Sequence, residues 1–312
     1  MKIIFAKHVG FCWGVKRAIT IAKKSLKEDP KPIQFLGPLV HNEKVIERLK
    51  KLGGKFIPLS RLENGIKSGT LILRAHGEIV DLKKTEKKII IRDTTCPLVK
   101  NAQLTAQNLF KDGYQVIIIG DKGHPEVKGI KGKVEGKALV IENESQAKSL
   151  PKSKKMGVVS QTTQDLNKVN EILKILRNKA KRFKWVNTVC PEVVFRQKEL
   201  SEISKKADGI LVIGSRSSAN TRRLTEIVKK AKKPIWWINS LAKLKKINFK
   251  DVSSLGVVSG TSAPDWEIQK IKKYFKKAKR NSSSSSPVKL SFMKAQMKMK
   301  TKFSSPRCAK AR

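Results

Sequence analysis

Three short segments of this chain repeat one arrangement, and the repetition restricts the fold more than any other feature. GFCWGVKRAI (residues 10–19), DTTCPLVKNA (93–102) and NTVCPEVVFR (187–196) each place a cysteine between a strand-like run and an amphipathic run. IIFA, IIIRD and KWVN are the strand-like runs. After Cys12 the apolar positions are Val15, Ala18, Ile19, Ala22 and Leu26; after Cys96 they are Val99, Ala102, Ala106 and Leu109. This is the spacing of a helix with one buried face. Pro97 and Pro191 suit a first helical turn, where the missing N–H removes no hydrogen bond.

The correspondence continues downstream. A second strand ends in glycine each time, at Gly37, Gly120 and Gly214, which lie 25, 24 and 24 residues past the cysteines. A third strand follows (KFIPL, ALVI, IWWI), then a fourth, in LILRAHG, GVVSQTT and GVVSGTSAPD. Strands alternating with helices imply parallel sheets joined by right-handed crossovers. The predicted fold is therefore α/β, with three similar modules over residues 1–95, 96–189 and 190–280 related by a pseudo-threefold axis.

In such sheets ligands collect beyond the carboxyl ends of the strands, and those ends carry the unusual polar groups here. The first module offers Cys12, His41 and His76. The second offers Cys96, His124, Glu126 and Thr162. The third offers Cys190, Ser218, Asn220 and Ser262. Taken singly, each has a plainer reading: a cysteine as a small buried hydrophobe, a histidine as a structural hydrogen bonder, Glu126 as a solvated loop acid, Ser218 and the TSAPD segment as helix caps. Trp13, Trp236 and Trp237 read as packing residues. Only joint placement makes a site.

Three converging thiolates suit two kinds of centre. A zinc site of three cysteines and a histidine is one, but zinc cysteines usually come in closely spaced pairs, and these lie 84 and 94 residues apart. A cubane iron–sulfur cluster is larger and can be gripped from three directions. Three cysteines for four irons leave one iron without a protein ligand, able to act as a Lewis acid toward a substrate oxygen. The histidines, Ser218, Asn220, Ser262 and nearby helix N-termini form a donor-rich set suited to a phosphate or diphosphate. Glu126 is the one acid placed with them and a candidate proton donor, with Thr162 to orient a hydroxyl.

Composition bounds the partners. The 69 Lys and Arg against 25 Asp and Glu give a formal charge of +44. Such charge attracts polyanions, yet the lysines are scattered and no RNA-binding or zinc-finger pattern organises them. A general lysine bias explains the charge without nucleic acid, while still favouring an anionic substrate and an acidic redox partner. No 18-residue apolar run suggests a membrane span. The cysteines form no disulfide framework, so a reducing cytoplasm is the expected location. Residues 281–312 carry a serine run, basic residues, no acid and the fourth cysteine, Cys308, and read as a disordered basic tail.

The ordered set GFCxGV, HN, RAHG, TCPxV, GxxxHPEVxG, SQTT, TVCPxVxxRQ and GTSAPD closely resembles the 4-hydroxy-3-methylbut-2-enyl diphosphate reductase family over residues 1–280. The resemblance implies a trefoil of three α/β modules around one four-iron four-sulfur cluster held by Cys12, Cys96 and Cys190. It implies a diphosphate pocket of His41, His76, His124, Ser218, Asn220 and Ser262, with Glu126 as proton source and Thr162 beside the substrate hydroxyl. The implied reaction is reductive dehydroxylation to isopentenyl and dimethylallyl diphosphate, with electrons from ferredoxin or flavodoxin. One departure stands out. Members of the family often carry two serines before the asparagine, where this chain has Ser218-Ala219-Asn220; a lost hydroxyl contact would weaken binding by about 1 kcal/mol. A basic nucleic-acid-binding protein and a zinc hydrolase using the same cysteines are the alternative readings.

Overall fold

The central strands of each sheet are short, apolar and largely buried on both faces, as in Gln115–Ile119 and Gly209–Ile213, and a sheet covered on both sides is a parallel one. The computed structural model describes residues 1–77, 80, 82–249 and 252–283. Among these it contains three four-stranded sheets, all of parallel pairs.

In chain order the elements are β1 (Lys2–Phe5), α1 (Trp13–Glu28), β2 (Ile33–Leu36), α2 (Glu43–Lys51), β3 (Lys55–Ile57), a 3-10 turn (Leu59–Asn64), β4 (Thr70–Leu73) and β5 (Ile90–Asp93). Then come α3 (Pro97–Lys111), β6 (Gln115–Ile119), α4 (Pro125–Gly132), β7 (Leu139–Ile141), α5 (Glu144–Ser149), β8 (Ser153–Ser160), α6 (Leu166–Arg177) and β9 (Ala180–Trp185). The last third holds α7 (Pro191–Lys206), β10 (Gly209–Ile213), α8 (Ala219–Lys230), β11 (Ile235–Ile238), α9 (Leu241–Leu244), β12 (Ser254–Ser259) and α10 (Asp265–Ser283).

The sheets run β3-β2-β4-β5, β7-β6-β8-β9 and β11-β10-β12-β1, one topology three times. In each, the strand before a cysteine is the last strand of a sheet: β5 leads to Cys96, β9 to Cys190 and β1 to Cys12. Sheet membership departs from contiguous sequence at one point. β1, inside the first predicted segment, pairs with β12, with Lys2 opposite Ser254 and Phe5 opposite Val257. The N-terminal strand thus completes the third sheet and closes the ring of modules on itself.

The helices bury the faces that their periodicity implies. α3 buries Val99, Ala102, Ala106 and Leu109 together with Gln103. α1 buries Ala18, Ile19, Ala22 and Leu26, while Val15 turns toward a central cavity. Residues Met1–Ile271 form one compact unit, and the described residues from Lys272 onward belong to a second. α10 continues through residues 281–283, which the sequence reading assigned to the tail; residues 284–312, with Cys308, lie outside the described residues.

Candidate functional site

Each strand except the outer β3, β7 and β11 delivers its C-terminal loop, or the helix turn that follows, to one cavity. Its lining includes all eleven residues picked out from the sequence: Cys12, Cys96, Cys190, His41, His76, His124, Glu126, Thr162, Ser218, Asn220 and Ser262.

The cysteines occupy equivalent positions. Each is the N-cap of a helix, α1, α3 or α7, with extended backbone and no side-chain capping bond. Each donates its backbone N–H to a carbonyl just past the fourth strand of the sheet it leaves: Cys12 to Thr261 at 2.9 Å, Cys96 to Ala75 at 3.0 Å and Cys190 to Thr162 at 2.8 Å. The thiols stay out of capping and the helix starts present partial positive charge to them. Burial nonetheless pushes the Cys12 thiol up and the Cys190 thiol up to about 11, so these are poor thiolates until a metal displaces their protons.

The glycines around Cys12 stand close against neighbouring segments. A Cβ on Gly14 would stand 2.7 Å from Cys96 Sγ, and one on Gly10 (φ +87°) would collide with the Asp265 carboxylate. They make room for side chains of neighbouring segments. Asp265 accepts the N–H of Phe11 at 2.9 Å and Ser259 Oγ that of Gly10 at 2.8 Å, which fixes the loop before Cys12, while buried Arg196 donates to the Ser259 and Gly260 carbonyls. Trp13 is 62% exposed rather than packed, because it is the first residue of α1 and points outward.

The second helices of the modules start at the cavity too. Asn42, His124 and Ser218 cap α2, α4 and α8, so Ser218 is both the cap and the cavity residue. His41, His76 and His124 cluster with ring centroids 4.2, 5.7 and 5.7 Å apart. Burial, reinforced by neighbouring positive charge, lowers His41 and His124 to about 4 and His76 well below its ordinary value. All three are therefore neutral at pH 7, and a bound anion would favour their protonation. His41 Nε2, His76 Nδ1 and both polar atoms of the Asn220 amide are buried without a hydrogen-bond partner. Each such group costs about 1–3 kcal/mol, a penalty that a polar ligand relieves.

Glu126, in the first turn of α4, is 2% exposed. Its carboxylate accepts the Thr162 N–H at 2.6 Å and the Thr162 hydroxyl at 2.9 Å. Burial outweighs these bonds and raises its pKa to about 7. It can therefore hold and release a proton near neutrality.

The cavity suits a polyatomic group. Its volume is about 110 Å³, against roughly 10–15 Å³ for a single water. Among the described residues no three His, Cys, Asp or Glu side chains stand close enough to share one metal ion. Three thiols reaching in from three helix starts fit a cluster of several metals. Sequence reasoning passed over Thr163 and Thr261, which also line the cavity. Thr163 stands at the same place after its strand as His76 and Ser262, so aligning the fourth strands would have found it.

The profile of the LytB protein family matches residues 3–276. The chain belongs to the LytB family. Relatives of the family named 4-hydroxy-3-methylbut-2-enyl diphosphate reductase include one from Dictyoglomus turgidum, 40% identical over 87% of this chain and 95% of the relative. Others come from Clostridium perfringens strain 13, 38% identical over 86% and 96%, and Geobacter metallireducens, 36% over 87% and 95%. Among solved structures, the Plasmodium falciparum E-1-hydroxy-2-methyl-but-2-enyl-4-diphosphate reductase aligns with a TM-score of 0.80 and 31% identity, over 88% of this chain and 87% of that one. An (E)-4-hydroxy-3-methyl-but-2-enyl diphosphate reductase described as the terminal enzyme of the non-mevalonate pathway aligns with a TM-score of 0.64 and 35% identity, over 89% and 100%. The LytB fold is thus that of three parallel α/β modules. The nucleic-acid and zinc-hydrolase readings find no support in these relatives. Among the described residues no helix is long and apolar enough to cross a membrane.

Proposed function

We propose that this LytB-family chain reduces 4-hydroxy-3-methylbut-2-enyl diphosphate to isopentenyl and dimethylallyl diphosphate. One observation carries the reading: three N-cap cysteines, a buried Glu126–Thr162 pair and the unpartnered atoms of His41, His76 and Asn220 line the same cavity. Cys12, Cys96 and Cys190 would hold a four-iron four-sulfur cluster. Bound there, the cluster supplies single-electron reduction and an iron open to act as a Lewis acid.

The protein's own groups do the rest. His41, His76, His124, Ser218, Asn220 and Ser262, with the starts of α2, α4 and α8, bind the diphosphate and so orient the allylic end. Thr162 faces the substrate hydroxyl and passes it a proton from Glu126. The C–O bond breaks with the oxygen leaving as water; two electrons and a second proton, delivered to carbon, complete the balance. Glu126 is suited to this because it retains a proton near neutral pH. Apolar Val15, Val99 and Val193 in the lining exclude water from the reacting carbon. Ferredoxin or flavodoxin supplies the electrons, and the cytoplasm is the compartment that suits free thiols.

Anaerobic purification with metal analysis tests the proposal. About four iron and four sulfide per chain, with turnover of the allylic diphosphate by a reduced viologen, are expected. Zinc without iron, or an iron-loaded protein inert toward this substrate, would overturn it.

A further inference from the structure

Glu43 and Asp121 each stand beside a histidine of the cavity without lining it. Glu43 is the first residue of α2, two after His41. Asp121 follows β6, and its carbonyl accepts the backbone N–H of His124 at 2.9 Å. Both side chains reach across to one stretch of the third module. Ser215 Oγ donates to Glu43 Oε1 at 2.6 Å, and Ser217 Oγ stands 3.5 Å from the same oxygen. Arg223 Nη2 donates to Asp121 Oδ1, with Arg222 3.9 Å from the other oxygen. Ser218 and Asn220 lie between these two anchors.

Carboxylates so near an anion site oppose the ligand by like charge, so their presence needs another purpose. The donors that grip the anion come from three separate sheets, and such donors bind well only when held within about half an ångström of their working positions. Glu43 links the third module to the His41 loop; Asp121 links it to the His124 loop. Each pairing also neutralises or satisfies the carboxylate that makes it.

We propose that Glu43 and Asp121 are positioning residues that set the affinity for the diphosphate, by fixing the start of α8, and with it Asn220, against the two histidine loops. The inference rests on the diphosphate reading above. It predicts a cost in binding and little change in the chemical step.

The test uses the anaerobically reconstituted holoenzyme, with inorganic diphosphate as calorimetric probe and steady-state kinetics on the allylic diphosphate. Asp121→Asn and Glu43→Gln should each weaken diphosphate binding and raise KM about ten-fold, the scale of one charge-assisted hydrogen bond. Iron content should not change, and kcat should stay within about two-fold, since the chemical groups are untouched. Asp121→Glu should recover much of the affinity. In an Asn220→Ala background Asp121→Asn should have less than about a two-fold effect, because a residue acting through another loses its effect when that partner is gone. Should Asp121→Asn fail to fold, Ser215→Ala removes the opposite anchor and should raise KM alike. Unchanged affinity, a fall in kcat at constant KM, loss of iron, or an undiminished effect without Asn220 would each overturn the inference. A wild-type holoenzyme that neither binds diphosphate nor turns over the substrate would instead defeat the functional reading, and the inference with it.

Discussion

Two sets of helix starts ring the cavity, and they differ in kind. α1, α3 and α7 begin alike: a cysteine N-cap, no side-chain capping bond, and one backbone hydrogen bond to the loop after a fourth strand. α2, α4 and α8 begin with three different solutions. Asn42 accepts from two backbone N–H groups, His124 Nδ1 accepts from Glu126, and Ser218 accepts from Thr221. Under the proposed function the first set would hold a cluster from three sides, which needs three like ligands, and the second would meet an extended molecule, with a diphosphate at one end and a hydroxyl at the other, that has no such symmetry. On that reading, repetition in this fold marks the proposed cluster site, and departure from repetition the proposed substrate site.

If that contrast is right, the three cysteines should be interchangeable in their importance. Replacing Cys12, Cys96 or Cys190 with serine should each reduce iron from about four per chain to a small remainder and abolish turnover. A variant that kept a full complement of iron by analysis would break the equivalence. Position 126 should behave in the opposite way, as a function of one module alone. Glu126→Gln should retain iron and diphosphate binding while lowering kcat by about 10²–10⁴-fold. Wild-type kcat should also fall as pH rises above about 7, where burial places the Glu126 pKa, since the protonated acid is the proposed donor; a profile flat through this range would refute that role.

The same group leaves a mark on stability. Its folded pKa, about 7, lies above the ordinary carboxyl value of 4.5, so the folded state holds a proton that the unfolded chain releases. Stability from this group is full below the unfolded value and is lost as pH rises through the folded one. Metal-free Glu126→Gln should therefore melt higher than the parent at pH 8 but not at pH 4, as thermal unfolding at the two pH values would reveal. The smallest effect belongs to Ala219, which lines the cavity between Ser218 and Asn220. Ala219→Ser should lower KM by roughly five-fold, the equivalent of about 1 kcal/mol; a rise in KM would mean that the extra hydroxyl meets no acceptor on the ligand.

Much of this was legible in the sequence. The strand–cysteine–helix recurrence and the glycine spacing follow from local rules of periodicity and turn chemistry, which each segment obeys wherever it sits. The gathering of His41, His76 and Asn220 followed from the rule that strand ends collect ligands. Trp13 misled, because a large aromatic at a helix start has no periodic context to say which way it faces. Nor does the sequence show what the glycines of the cysteine turn pack against, since their neighbours, Asp265 and Cys96, lie far off in the chain.

The sequence by itself determined the residue types, their order and the repeated unit, because helix and strand periodicity are properties of neighbours along the chain. Only the tertiary structure decided that β1 completes the third sheet, since that register joins Lys2 to Ser254. It alone decided the chemistry of Glu126 and the histidines, whose proton affinities depend on how much water the packing of three modules removes. It alone brought Glu43 and Asp121 to the two ends of one segment. Burial and contact across modules are non-local, and no window of sequence contains them.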